Sequence, residues 1–358
     1  MLYSETMQGS AGSPGLANAP CRLCGTAEAD SEEHVIPSAI GGRLVALGVL
    51  CTPCNGRLGS TVDAAFAKQF EAVRMMLGVE GDRGQSVSLR AADVTGREVF
   101  LDPGMQLRAA PNPPVILRED EDGYEARFDS VEQARAFAES VQRKNPGRKV
   151  EVTSVTETIV FPRKINLPLQ IGGPAVVRSA VKSTLSLLAA RGVAGSPEVL
   201  ARAWSYVRGA LEESEAGVAV HHAAAPSPWT PASLGTVSHR IAARSNVARG
   251  FVEADVRYFG EIGFVIRIAC AIPDAFSLAY GVDPISGAEA TSDDWTGAVG
   301  IPFAADSAQI YRSVERAFEV VCARAAVFEP VPRIKASLAY TPRLGARWLA
   351  WGGAFAAV

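Results

Sequence analysis

Two C-x-x-C motifs constrain the fold of this chain more than any other feature. Cys21/Cys24 and Cys51/Cys54 contain four of the six cysteines. Two thiolates so spaced can bind one metal ion from a tight turn, and two such pairs complete a closed tetrahedral zinc site. A closed site has no open coordination position, so it stabilises structure and does no chemistry. We predict one structural Zn²⁺ on these four cysteines; the alternative, disulfides, requires an oxidising compartment.

The segment between the two pairs carries polar residues suited to catalysis. It contains the run Glu33-His34-Val35-Ile36-Pro37, then Gly41-Gly42, then an apolar run at 44–50 that leads to Cys51. Asn55 directly follows the last cysteine of the second pair. This order predicts a strand, a turn, a second strand and a helix.

These residues resemble the HNH endonuclease family of ββα-metal nucleases, in the branch whose motif reads C-x-x-C, EH-x-x-P, GG and C-x-x-C-N. The resemblance covers about a sixth of the chain. It implies that Glu33 and Asn55 hold a catalytic divalent ion, Mg²⁺ or another divalent cation, and that His34 is the general base. It also implies hydrolysis of DNA, with RNA as the other candidate substrate, in a bacterial defence or mobile-element nuclease.

The chemistry of phosphodiester hydrolysis agrees with these residue types. The reaction needs a cation to neutralise charge on the phosphate and a base that accepts a proton from water near neutral pH. Mg²⁺ prefers oxygen ligands, and histidine titrates in the required range. Adjacent strand residues point to opposite faces, so Glu33 and His34 share one site only if the strand is bulged or strongly twisted there.

The sequence departs from the family pattern in two places. Leu47, Gly48 and Val49 occupy the region in which many members carry a middle asparagine, and Gly59 stands where a further ligand often lies. Asp63 is a third candidate ligand for the divalent ion. A competing interpretation, which we favour, makes 60–63 a capping box that opens a new helix, with Asp63 in a structural role.

Length and charge limit the class of protein. A chain of 358 residues is long enough for two or three domains, and its net charge of −3 argues against a binder that coats DNA through bulk positive charge. The sequence contains no apolar run long enough to span a membrane, and 1–20 lacks the pattern of a signal peptide. We therefore expect a reducing cytoplasm. Cys270 and Cys322 are predicted to be buried, unreactive thiols.

We predict an α+β protein in which a treble-clef-like HNH module precedes a larger mixed α+β region. Apolar periodicity predicts helices at 62–77, 130–143, 174–191, 197–211 and 306–327, and strands at 87–126, 149–161, 237–243, 251–258 and 264–270. The predicted divisions are a disordered N-terminus at 1–20, the zinc-stapled nuclease module at 21–80, a small α+β module at 81–165, and a helical pair with an antiparallel sheet at 166–358. Arg178 and Lys182 lie one turn apart and form either a phosphate or ligand patch or, as we favour, a solvated helix face.

Two other functions agree with the same residues. In one, the protein is a non-catalytic zinc-ribbon module that binds nucleic acid, with Glu33 and His34 in structural roles. In the other, it is a regulatory protein with a nuclease-like head, whose C-terminal region receives a small-molecule or protein trigger.

Overall fold

A computed structural model gives the structure of the protein. It describes residues 19–81, 88–93, 98–102, 106–109, 115–120, 123–127, 131–144, 165–166, 168–193, 197–223, 227–260, 262–270, 272, 274–293, 295, 316, 319–321, 337–339 and 348–349. The predicted disordered segment, except for residues 19 and 20, lies outside these residues. So do the predicted strand at 149–161, Cys322 and most of the predicted helix at 306–327.

The described residues form a mixture of helices and strands, which confirms the predicted α+β class. The helices are α1 Thr52–Leu58, α2 Ala64–Gln69, α3 Glu71–Leu77, α4 Val131–Lys144, α5 Gly173–Ala190, α6 Pro197–Val207 and α7 Glu213–Ala216. The strands are β1 Glu33–His34, β2 Val45–Ala46, β3 Leu89–Asp93, β4 Glu98–Asp102, β5 Gln106–Ala109, β6 Val115–Asp120, β7 Gly123–Arg127, β8 Ile165–Asn166, β9 Pro168–Gln170, β10 Val218–His222, β11 His239–Asn246, β12 Phe251–Tyr258, β13 Ile262–Ala269, β14 Ser277–Val282, β15 Glu289–Ser292, β16 Ser337–Ala339 and β17 Trp348–Leu349.

The N-terminal part, which we call the head (residues 19–81), has the predicted order of strand, turn, strand and helix. β1 and β2 pair antiparallel, with Glu33 opposite Ala46 and His34 opposite Val45. α1 begins directly after Cys51, and Pro53 lies in its first turn, where the missing N–H costs nothing. The helical stretch ends at Gly78, which adopts the left-handed conformation that favours glycine. The ββα arrangement of the head is therefore confirmed.

The remaining described residues, which we call the body, contain a six-stranded antiparallel sheet in the order β10-β13-β12-β11-β14-β15. Along β12, Val252, Ala254, Val256 and Tyr258 lie on one face and belong to the main core. Helix α5 packs across this sheet, where it contacts β11, β12 and β13. Two smaller sheets, β5-β4-β3-β8 and β17-β16-β9, and the hairpin β6-β7 complete the described strands.

Helix α5 lies between the head and the large sheet. It also contacts β1, β2 and α2 of the head, and its residues are buried along most of its length. A helix that is buried on all sides must satisfy every polar group it carries inside the protein. One hydrophobic cluster runs through both parts: it contains Phe66 and Phe70 of the head together with Tyr258 and Phe259 of the body.

Among the described residues, none of the helices combines the length and the apolar character that a membrane crossing requires.

Candidate metal centre and nuclease site

The four predicted zinc ligands converge. The Sγ atoms of Cys21, Cys24, Cys51 and Cys54 all lie within 4.8 Å of one another, and the Sγ atoms of Cys24 and Cys51 are 3.9 Å apart. Four thiolates around one zinc at about 2.3 Å lie roughly 3.8 Å from each other, whereas disulfide sulfurs are separated by about 2.0 Å. All four cysteines are free thiols. The cluster therefore fits a tetrahedral zinc ion and argues against the disulfide alternative.

Backbone contacts place the two cysteine pairs. The amide of Arg22 donates to the carbonyl of Val49 at 2.9 Å, which ties the first pair to the chain that enters the second. Asp30 caps α1: its Oδ1 accepts from the backbone N of Thr52 at 2.7 Å and from its Oγ1 at 3.1 Å. The backbone hydrogen bond from Thr52 is the main reason that the pKa of Asp30 is lowered. Asp30, which precedes the β1–β2 hairpin, thus fixes the start of the helix that carries Cys54 and Asn55.

The protonation of the thiols favours metal binding at one cysteine and opposes it at two. Hydrogen bonds from Thr26, chiefly from its side chain, lower the pKa of Cys24 to about 5. Desolvation raises the pKa of Cys51 and of Cys54. Zinc binds the thiolate, so the metal must displace protons from these two buried groups.

Glu33 does not face solvent, and its partner comes from the body. Its side chain is 1% exposed and forms an ion pair with the ammonium group of Lys182, which lies on α5 and is 3% exposed. The same ammonium donates to Oδ2 of Asp63 at 2.6 Å. The preference for Lys182 on a solvated helix face is therefore wrong. Its positive charge is needed inside because the buried carboxylate of Glu33 and the half-buried carboxylate of Asp63 lie beside it.

Burial and charge act in opposite directions on this cluster. Desolvation opposes the charge on Lys182, but the attraction of Asp63 and Glu33 outweighs it and raises the pKa of the lysine. Desolvation raises the pKa of Glu33, and Lys182 offsets that effect only in part. The ammonium is therefore charged at neutral pH and holds both carboxylates in place.

The helix after Asn55 corrects our interpretation of Asp63. The structure has a π-helical turn at Gly59–Asp63 that joins α1 to α2, and Asp63 has helical backbone angles without a side-chain capping hydrogen bond. The hydroxyls of Ser60 and Thr61 donate to the carbonyl of Arg57 within the helix. Asp63 is therefore not part of a capping box, because the helical backbone continues from α1 through the π-helical turn into α2 without a break.

The π-helical turn changes the direction of Asp63. On a regular α-helix at about 100° per residue, Asp63 would point roughly 80° away from Asn55. A π turn accommodates one additional residue, so the eight steps from Asn55 to Asp63 rotate about the helix axis by as much as seven α-helical steps, about 700°. Asp63 therefore points within about 20° of the direction of Asn55. The Asn55 amide Nδ2 donates to the carbonyl of Glu32 at 2.7 Å, which places this helix face beside β1. Oδ1 of Asp63 is buried and has no hydrogen-bond partner among the described residues.

His34 follows Glu33 on β1, and the pairing of that strand indicates how the two side chains are arranged. β1 and β2 pair in regular register over both residue pairs, Glu33 is buried, and His34 is half-buried. Regular alternation sends neighbouring side chains to opposite faces. The described residues of β1 thus show no bulge, and the structure brings Glu33 together with Asp63 but does not align Glu33 with His34.

The oxygen donors at this site fit a hard divalent ion. Two carboxylates and one amide oxygen are the ligand types that Mg²⁺ prefers, and the unpartnered Oδ1 of Asp63 is an acceptor that a cation would satisfy. Lys182 supplies the positive charge between the carboxylates of Glu33 and Asp63.

The head thus combines a cluster of four cysteines, a ββα arrangement and acidic residues on its hairpin and helix. Residues 21–71 match the HNH endonuclease family, which confirms the predicted resemblance over that segment. A search of curated proteins and a search of solved structures found no match.

Sequence reasoning did not identify Lys182 as a member of this site. Its signal is its position on the helix: Arg178 and Lys182 are the only charged residues of α5, and the residues beside Lys182 are small or apolar. A single lysine in such surroundings either lies at the surface or pairs with a buried carboxylate.

Proposed function

We propose that this protein is a metal-dependent endonuclease that hydrolyses phosphodiester bonds in DNA at its head. The observation that carries the proposal is the match of residues 21–71 to the HNH endonuclease family, together with the convergence of Glu33 and Asp63 next to the helix that presents Asn55. A structural zinc on the four cysteines supports the segment that carries these residues.

In this proposal Glu33 and Asn55 hold a divalent ion, with Asp63 as the third ligand. Such an ion, when bound, neutralises charge on the phosphate and on the leaving oxygen. His34 is the proposed general base for the attacking water, a role in which its side chain must turn towards the ion from the opposite face of β1. Arg57 and Lys68, both exposed on the same helical stretch, supply positive charge for the phosphate backbone. The body recognises the nucleic acid or a signal that licenses cutting in bacterial defence or in a mobile element.

The test is cleavage of supercoiled plasmid by the zinc-loaded protein with Mg²⁺ or Mn²⁺. We expect nicking that requires the added ion and stops when the ion is chelated. Parallel assays on single-stranded DNA and RNA identify the substrate class. Binding without cleavage under all these conditions would overturn the proposal.

One observation favours the second candidate, a non-catalytic zinc-ribbon module that binds nucleic acid. The regular pairing of β1 and β2 places Glu33 and His34 on opposite faces, and Glu33 is neutralised by Lys182. In that case the head binds DNA with an affinity that falls with salt and does not depend on Mg²⁺. Measurement of DNA affinity with and without Mg²⁺ distinguishes it from the nuclease.

A further inference from the structure

The body contributes a fixed positive charge to the head. Lys182 lies on α5, its side chain is 3% exposed, and its ammonium contacts the carboxylates of both Glu33 and Asp63. Because α5 is buried between the head and the large sheet, the ammonium group cannot leave the carboxylates to be solvated by water. Lys182 thus supplies a permanent positive charge from the body to the two carboxylates of the head.

We propose that Lys182 and a divalent ion compete for Glu33 and Asp63, so that Lys182 sets the affinity of the nuclease site for its ion. This inference rests on the proposed function for the location of the ion site. Lys182 is a positioning residue in this scheme, because it acts on the carboxylates and does not touch the phosphate.

The charges of the cluster give the direction of the effect. When both carboxylates are ionised, Glu33, Asp63 and Lys182 together carry a net charge of −1, and loss of the lysine removes one positive charge from the cluster. An ion on either carboxylate lies within roughly 5 Å of the ammonium, since metal–oxygen distances are about 2.1 Å. Removal of that repulsion strengthens ion binding by about tenfold or more, even with the screening of bulk water.

A second observation supports a cation at this position. Oδ1 of Asp63 is buried without a hydrogen-bond partner among the described residues, while Oδ2 of the same carboxylate contacts Lys182. One ammonium therefore satisfies only part of the acceptor capacity of the pair. A divalent ion with several ligands would satisfy the remainder.

The experiment measures Mn²⁺ binding by electron paramagnetic resonance on zinc-loaded, full-length protein in the absence of nucleic acid. Lys182→Met removes the charge and keeps an unbranched side chain of similar length. We expect it to bind Mn²⁺ at least tenfold more tightly than the wild type, and we expect Glu33→Gln in the Lys182→Met background to cancel the gain. The matched control is Lys144→Met, which removes the same charge from an exposed position of α4 and should leave the affinity within twofold.

If Lys182→Met is too unstable for the binding measurement, the effect of Mn²⁺ on melting temperature tests the competition instead. If the ion replaces the ammonium, Mn²⁺ raises the melting temperature of Lys182→Met and of Lys182→Gln by more than it raises that of the wild type. Equal shifts in all three proteins, or unchanged Mn²⁺ affinity in a folded variant, would overturn the competition. Because these readouts need no cleavage, a wild type that fails to cut DNA counts against the proposed function and leaves the competition to be decided by Mn²⁺ binding.

Discussion

His34 is the residue on which the proposed cleavage chemistry depends most. A general base contributes about 10²- to 10⁴-fold to a hydrolytic rate, so His34→Ala should lower the single-turnover rate of plasmid cleavage by that factor. Zinc content and melting temperature should not change, since His34 is half-buried and lies outside the cysteine cluster. His221→Ala, which removes a half-buried imidazole from β10, serves as the control. Undiminished cleavage by His34→Ala would remove His34 from the mechanism.

The sequence predicted those parts of the site whose signal is local. The spacing of the four cysteines was sufficient because ligands for one zinc ion lie on two tight turns. Lys182 was misinterpreted because its partner Asp63 is 119 positions away, and no local pattern connects a helix of the body to the head. The role of Asp63 was misjudged since the pattern at 60–63 is also that of a capping box, and only the backbone shows that the helix continues.

At the scale of elements, the π-helical turn at Gly59–Asp63 aligns the helix that leaves the zinc cluster. We predict that Gly59→Ala raises the free energy of unfolding by about 0.5–1 kcal/mol, because alanine has the higher helix propensity and a Cβ at Gly59 meets no atom within 4 Å. Gly42→Ala is the matched comparison and should lower the free energy of unfolding, because its Cβ would clash with the carbonyl oxygen of Ile36. Urea denaturation measures both changes. Destabilisation by Gly59→Ala would show that the π turn itself requires glycine.

A buried histidine connects the head to β11 and gives a pH dependence. His239 Nε2 donates to the carbonyl of Ile40 at 2.8 Å, and its Nδ1 accepts from the amide of Phe259 at 3.1 Å, so the ring is neutral. Desolvation lowers the pKa of His239 to about 4, whereas an unfolded histidine titrates near 6.5. Between pH 4 and pH 6.5 the unfolded chain binds a proton at His239 that the folded protein does not bind. The contribution of the neutral ring to the free energy of unfolding is therefore fully present above pH 6.5 and is lost as the pH falls towards 4.

The measurement is the slope of unfolding free energy against pH between 4 and 6.5. We expect a smaller slope in His239→Gln than in the wild type, because glutamine retains a donor for Ile40 and does not titrate. The full difference at pH 4 is on the order of 3 kcal/mol. His222, whose pKa burial also lowers to about 4, remains in both proteins and cancels in the comparison. Equal slopes would show that the ring does not stay neutral in the folded protein.

The sequence predicted the individual helices and strands better than the way they assemble. Periodicity located α5 and the strands β11 to β13 closely, because each repeats apolar residues along a single element. The division at residue 80 stays a prediction, although the main hydrophobic cluster extends from the head into the body. Composition contains no signal for such a shared core, because the residues that contact each other across the two parts are far apart in the sequence.

The shared core leads to a prediction about cooperativity. Phe70 is fully buried in the head, and its ring centroid lies 4.8 Å from that of Phe66, 5.9 Å from that of Tyr258 and 5.5 Å from that of Phe259. Phe70→Ala should lower the free energy of unfolding by about 3–5 kcal/mol, the usual cost of a cavity of that size. Leu47→Ala, at a side chain of the head that is 57% exposed, should change it by no more than about 0.5 kcal/mol.

Tryptophan fluorescence separates cooperative unfolding from independent unfolding, because all five tryptophans lie after residue 200 and therefore outside the head. If head and body unfold together, Phe70→Ala lowers the urea midpoint of tryptophan fluorescence by as much as that of far-ultraviolet circular dichroism. A substitution in the head then destabilises residues that it does not touch, since the aromatic contacts to Tyr258 and Phe259 join the two parts. An unchanged fluorescence midpoint beside a shifted dichroism midpoint would show that the body folds without the head, and that loss of zinc would spare it.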